Sequence, residues 1–169
     1  MHHLHGIFFS SEKCAAELFA RYQIVTLYRD YIAQVTRAVK SRLFDVMAHA
    51  DLIKKYTGEL APRVPFEEYR DAAASFVDTL LESGVGIEIN TKGYKLQVGE
   101  AYPSEELLAL YISRAKARGI APIVTLGSDA HRVEDVGARL GEGTRALRRA
   151  GYSTLTLFDR RQPISFALD

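Results

Sequence analysis

The chain of 169 residues holds a single cysteine, Cys14, so no disulfide can form within it. A lone thiol fits a reducing compartment, and a cytoplasmic location is expected. Inside the helical-looking run SEKCAAELFARY, Cys14 reads as a small buried hydrophobe rather than a nucleophile. An excess of one charge is also missing. Lys+Arg 22 face Asp+Glu 21, which argues against nucleic acid as a partner. No apolar run reaches the roughly 18 residues of a membrane span, so no membrane partner is expected either. The opening MHHLHGIFFSSEK lacks the basic start and long apolar core of a signal peptide. It resembles an expression tag, yet Leu4 interrupts the histidines and apolar GIFF follows at once. There is no GxSxG nucleophile elbow. The segment GEGTRALRRAG is no Walker loop, because no Gly-Lys-Ser/Thr follows its glycines.

What is present is an ordinary globular composition, 47% hydrophobic and 25% charged. With no repeat, low-complexity tract or linker in view, one domain over 1–169 is expected. Its pattern alternates. Leu27, Tyr31, Val35 and Val39 fall on one face of a helix in IVTLYRDYIAQVTRAVKSR. PFEEYRDAAASFVDTLLESG opens on Pro65 and closes on Gly84, as helices do. In YPSEELLALYISRAKARG, Ser104 is the expected N-cap. A further helix is expected in the second half of VEDVGARLGEGTRALRRAG, weakened by Gly141 and Gly143. Between the helices, LFDVMAH (43–49), VGIEIN (85–90) and APIVTLGSD (121–129) read as buried strands, with two more in YSTLTLF and QPISFAL. That rhythm predicts βαβ units and a parallel sheet.

The five histidines are confined to three places: positions 2, 3 and 5, His49 after LFDVMA, and His131 after VTLGSDA. In parallel α/β folds, chemistry gathers where strands pass into loops at the carboxyl edge. In GSDAH, Asp129 and His131 stand one residue apart, so in an extended segment a carboxylate and an imidazole share one side. Gly127, Ser128 and Ala130 leave room beside them. His49 and Asp51 repeat the spacing in AHAD, although capping the LIKKY turn is the stronger reading for Asp51. Mixed imidazole and carboxylate donors suit Zn, Mn or Fe. A Ser128–His131 pair lacks an oxyanion-hole signature. Glu88 and Asn90 alternate on IEIN and are expected to support the site rather than ligate.

FDVMAHADLIKKY, GIEINTKGYKLQVGEAYPSEELL and APIVTLGSDAHRVEDVG resemble, in order and spacing, the later motifs of the PHP-type histidinol-phosphatases. The likeness runs from HHLHG almost to the end of the chain. It implies a distorted (β/α)7 barrel of TIM type, of which this chain would hold a part lacking the first strands. It implies a metal-dependent phosphomonoesterase, hydrolysing L-histidinol phosphate in histidine biosynthesis. It further implies divalent ions at the barrel's carboxyl end, up to three in the family and fewer here. On this likeness His2, His49, Asp129 and His131 are the expected metal ligands. Lys54 and Lys95 are the expected phosphate-binding cations, Lys95 standing where the family shows Arg. His3 is expected beside the substrate, and His5 is the candidate for a catalytic role.

The family's opening HxH strand, and a further His and Glu, have no counterpart here. Met1 stands where the family has Val, and a GTG codon can encode either, so a start internal to the family pattern is expected. Four ligands can hold one metal but not three. Two alternatives follow. The chain is a non-catalytic module that folds by association, with a second copy covering the open barrel edge or with a missing N-terminal piece, or it hydrolyses another phosphoester.

Overall fold

The computed structural model describes residues 3–8 and 11–168. A short antiparallel pair comes first, β1 (His3–Leu4) and β2 (Ile7–Phe8). Helix α1 (Glu12–Arg21) is capped by Ser11, whose hydroxyl accepts from the Cys14 N–H; Cys14 itself is half-buried. Helix α2 (Ile24–Lys40) carries the apolar stripe that its spacing predicts: Leu27, Tyr31, Val35 and Val39 are all buried. Each such side chain taken from water contributes about 1.5–3 kcal/mol. The stripe lies against α3 (Arg70–Ser83), which buries Phe76, Val77 and Leu80 and ends on Gly84 in the left-handed region. Ser104 caps α4 (Glu105–Ala117), its hydroxyl accepting from the Leu107 N–H at 3.3 Å.

Three parallel strands set the frame of the site: β3 (Val46–Met47), β4 (Gly86–Asn90) and β5 (Val124–Gly127), in the order β3-β4-β5. The register pairs Met47 with Ile87, and Asn90 with Gly127. β3 is shorter than the expected strand over 43–49, because Leu43 projects into solvent and Arg42 takes a positive φ. Helix α5 (Leu140–Arg149) packs on β5. Its Gly143 is no weak point: a Cβ there would stand 2.5 Å from Leu126 and 2.9 Å from Thr91, so the helix can lie this close only on glycine.

The last two strands depart from the βαβ rhythm. β6 (Thr154–Asp159) and β7 (Gln162–Ala167) pair antiparallel with each other, from Thr154↔Ala167 to Asp159↔Gln162. Only Arg160 and Arg161 connect them, both at positive φ. Two residues in that conformation reverse the chain into a hairpin, whereas a parallel partner needs a crossover. Among the described residues the parallel sheet is therefore open and three-stranded within a mixed α/β fold. No described helix is long and apolar enough to cross a membrane.

Candidate active site

Because β3, β4 and β5 run in one direction, the residues that follow them leave from one edge. Two positions beyond Met47 stands His49; two beyond Asn90, Lys92; two beyond Gly127, Asp129. Those three positions carry an imidazole, an ammonium and a carboxylate. His49 (φ 35°) and Asp129 (φ 49°) both lie in the left-handed region. That conformation costs a non-glycine residue about 1–3 kcal/mol and persists where surrounding contacts enforce it, often at functional sites.

The enforcing contacts can be traced. Glu88 accepts from the Asn90 amide nitrogen at 3.1 Å and from the backbone N–H of His49. A Cβ on Gly127 would stand 2.7 Å from Glu88 Oε1, so glycine there lets the carboxyl lie over β5. Burial, chiefly, lifts the Glu88 carboxyl above its ordinary range; the charge of Asp129 adds to the lift, while Asn90 and His49 oppose it. Asn90 is buried and does two further things. Its side-chain oxygen accepts from the Lys92 N–H at 3.1 Å, and its backbone exchanges hydrogen bonds with Tyr102 at 2.7 and 3.0 Å. Thr91 donates to the carbonyls of Ala138 (2.6 Å) and Gly127 (3.3 Å), tying the loop after β5 to the loop after β4.

Within that frame Asp129 and His131 come together, Oδ1 to Nδ1 at 3.8 Å, with the imidazole 70% exposed. Lys92 points into the pair. Its ammonium is 3.1 Å from the Asp129 carbonyl and 2.5 Å from His131 Nδ1. Ser128 is not poised as a nucleophile toward His131; its hydroxyl accepts from the Gly137 N–H.

The other expected residues lie elsewhere. Lys54 is buried, with Asp51 Oδ2 at 3.1 Å, Glu100 Oε1 at 3.2 Å and the Ala101 carbonyl at 2.8 Å. Its three N–H bonds are thus directed at protein acceptors, not at a ligand. Lys95 forms an ion pair with Asp135 on the loop after β5. Asp51 does not cap the LIKKY turn; it accepts from the backbone N–H of Ser104 at 2.8 Å and holds Lys54. His5, on the β1–β2 turn, pairs with Asp30 of α2 at 2.7 Å and stacks on Tyr22. His3 is exposed on β1, opposite Phe8. His2 lies outside the described residues.

Local pattern reading missed Lys92. The signal that would have found it is the repeated offset of two residues past each strand end.

In kind, these donors fit a divalent cation, since the Asp129 carboxylate and the imidazoles of His49 and His131 all follow strands at one edge. In position they are not closed around a point. Among the described residues, no three His, Cys, Asp or Glu side chains are gathered as a metal-binding group.

No family model matches the chain. Curated relatives do. The chain is 36% identical over 161 residues to the probable histidinol-phosphatase of Deinococcus radiodurans, an alignment covering 95% of this chain and 56% of the relative. Over nearly all of its own length, then, the chain is similar to a histidinol-phosphatase. It is also 25% identical over 131 residues to the probable histidinol-phosphatase of Thermotoga maritima, covering 78% of this chain and 52% of that protein. The fold agrees. A crystal structure of histidinol phosphate phosphatase from Lactococcus lactis subsp. lactis, complexed with zinc, L-histidinol and phosphate, superposes with a TM-score of 0.76 at 18% identity. That superposition covers 97% of this chain and 59% of the other. The chain spans about half the length of the curated histidinol-phosphatases it matches.

Proposed function

We propose that this chain carries the reactive edge of a metal-dependent phosphomonoesterase that hydrolyses L-histidinol phosphate to L-histidinol and phosphate, a step of histidine biosynthesis. The observation that carries the reading is the edge itself. His49, Lys92 and Asp129 occupy equivalent positions past three adjacent parallel strands, in a chain similar to a histidinol-phosphatase over nearly all of its own length. His49, Asp129 and His131, with His2 from the start of the chain, are the residues that would hold a divalent ion such as Zn, Mn or Fe. Such an ion, when bound, polarises a phosphoryl oxygen and activates a water for attack on phosphorus.

The chain's own groups do the rest. Lys92 brings a positive charge held by a carbonyl and an imidazole, leaving it to compensate a phosphoryl oxygen. Lys54 and Lys95 have carboxylate partners instead. Glu88 positions His49 by accepting its backbone N–H, and Asn90 holds Glu88 and the turn bearing Lys92 in register. Reaction in the cytoplasm belongs to the same reading.

The test is phosphate release from L-histidinol phosphate by the purified chain with added Zn, Mn or Fe. Asp129→Ala and His131→Ala should each lower kcat/KM by at least about a hundredfold. Lys92→Met should raise KM about tenfold while Lys95→Met changes it less than about threefold. A second reading is a non-catalytic module that associates with a copy of itself; the chain spans about half the length of the relatives it matches, and its parallel sheet, among the described residues, is open. Folded protein that releases no phosphate with any of these ions, and whose mass in solution is that of a dimer, would establish it. Release from other phosphomonoesters in preference to L-histidinol phosphate would instead replace the substrate.

A further inference from the structure

The contacts among Lys92, Asp129 and His131 cannot all be hydrogen bonds at once. His131 Nδ1 lies 2.5 Å from the Lys92 ammonium and 2.8 Å from the Asp129 carbonyl, and the ammonium lies 3.1 Å from that same carbonyl. A neutral imidazole carries one N–H and one free nitrogen lone pair. An ammonium only donates, so when it bonds Nδ1 the lone pair is there and the ring proton is on Nε2. A carbonyl only accepts, so when Nδ1 bonds Asp129 the proton is on Nδ1 and the lone pair on Nε2. The two bonds belong to different tautomers.

Only the second tautomer can ligate. In the first, Lys92 engages the Nδ1 lone pair and Nε2 bears the proton, so neither nitrogen is open to a metal. In the second, Nε2 offers its lone pair from a ring that is 70% exposed. Nδ1–H then donates to a backbone carbonyl, as the second nitrogen of a metal-ligating histidine commonly does. The ammonium thus withholds His131 twice, by taking the Nδ1 lone pair and by bonding the carbonyl that Nδ1–H needs.

Lys92 is also built to move without its loop. Its backbone N–H donates to the Asn90 side chain at 3.1 Å, and Thr91 before it is tied to the carbonyls of Ala138 and Gly127. Gly93 after it lies so close to the Glu100 carbonyl that no Cβ would fit. The side chain is half-buried and turns on that fixed backbone. Asp135 stands within reach of its charge: the hydrogen bond from Lys95 chiefly, and the charge of Lys92 in small part, hold the Asp135 carboxyl below its ordinary range. An ammonium that leaves His131 therefore keeps a carboxylate nearby.

We propose that Lys92 gates metal binding. While its ammonium rests on His131 Nδ1 the imidazole is closed to a divalent ion, and when it swings off the ring changes tautomer and opens. The site that is gated, and the phosphoryl oxygen that the freed ammonium would meet, rest on the phosphatase reading above.

Proton–nitrogen correlation spectra of the whole chain test this directly, in mildly alkaline buffer where a free imidazole is neutral. They read the tautomer of each ring, and His131→Gln assigns the His131 signals. Wild type should carry the His131 proton on Nε2, and Lys92→Met should carry it on Nδ1. Zinc titrated calorimetrically should bind Lys92→Met about tenfold more tightly than wild type, as follows if the ammonium holds the ring about nine-tenths of the time. Lys95→Met, which removes an equal charge nearby, should change zinc affinity less than about threefold. The proposal is overturned by an Nδ1–H ring in wild type, a result that needs no variant to fold. It is overturned equally by one tautomer in both proteins, by zinc that binds neither, or by a zinc affinity that Lys92→Met does not raise. A gain as large in Lys95→Met would reduce the effect to charge repulsion and also sinks it. Hydrolysis of L-histidinol phosphate by a chain whose His131 tautomer ignores Lys92 removes the gate alone. A tautomer change and tighter zinc in a chain that releases no phosphate remove the phosphatase reading and leave the gate standing.

Discussion

Lys54→Met removes an ammonium whose side chain is 4% exposed and whose partner Asp51 is fully buried. Methionine matches most of the lysine stem, so packing beside the Tyr102 ring, 5.3 Å from Nζ, is largely kept. The perturbation is therefore mainly electrostatic. Asp51 keeps the Ser104 N–H but loses the cation opposite it. Truncating one member of a buried pair costs about 3–5 kcal/mol. The retained hydrogen bond and the partial exposure of Glu100 place the expected loss near the lower end, about 3 kcal/mol. For a chain of this size that corresponds to a fall in Tm on the order of 6–12 °C. Urea denaturation at neutral pH measures it, with Lys95→Met as the control, since an exposed pair such as Lys95–Asp135 contributes only about 0–1 kcal/mol. The double variant Asp51→Asn with Lys54→Met should recover more than half of the loss, because the uncompensated charge is gone while an oxygen still faces Ser104. A loss below about 1 kcal/mol together with a collapse of phosphate affinity would refute this reasoning and return Lys54 to the phosphate-binding role its motif suggests.

Gly143→Ala reverses a common rule. In a helix interior alanine is favoured over glycine by about 1 kcal/mol, yet the added Cβ would press on Leu126 and Thr91. A net destabilisation of about 1–2 kcal/mol is expected from overpacking, and a denaturation midpoint equal to or above wild type would contradict the close approach of α5. Glu100 makes stability depend on pH in a defined sense. Its carboxyl is lifted above the ordinary value of 4.5, so the folded chain binds its proton more tightly than the unfolded one. The resulting stabilisation is full below pH 4.5 and is lost as pH rises through the lifted value. The stability of wild type relative to Glu100→Gln should accordingly fall as pH is raised from 4 to 7 in paired urea melts, and a difference that is flat or rises would show the sign to be wrong.

The helices were legible because their signals are local. The stripe of Leu27, Tyr31, Val35 and Val39 repeats every fourth residue, and Ser104 stands where an N-cap must. The strand ends bearing His49, Asp129 and His131 were legible too, since small residues and charge abruptly follow apolar runs. The hairpin of β6 and β7 was less so: apolar runs announce strands, but the direction of their pairing depends on how two arginines turn the chain.

What the linear order of residues determined by itself is therefore most of the helices and strands, the edge from which His49, Asp129 and His131 leave, and the chain's likeness to the histidinol-phosphatases. Tertiary structure alone decided which lysine stands at that edge. Lys54, Lys92 and Lys95 are chemically alike and close in sequence, but their partners are far away along the chain, at Ala101, at Asp129 and His131, and at Asp135. An ammonium is claimed by whichever acceptors folding brings within about 3 Å, and that choice, made through space, leaves no trace in local periodicity.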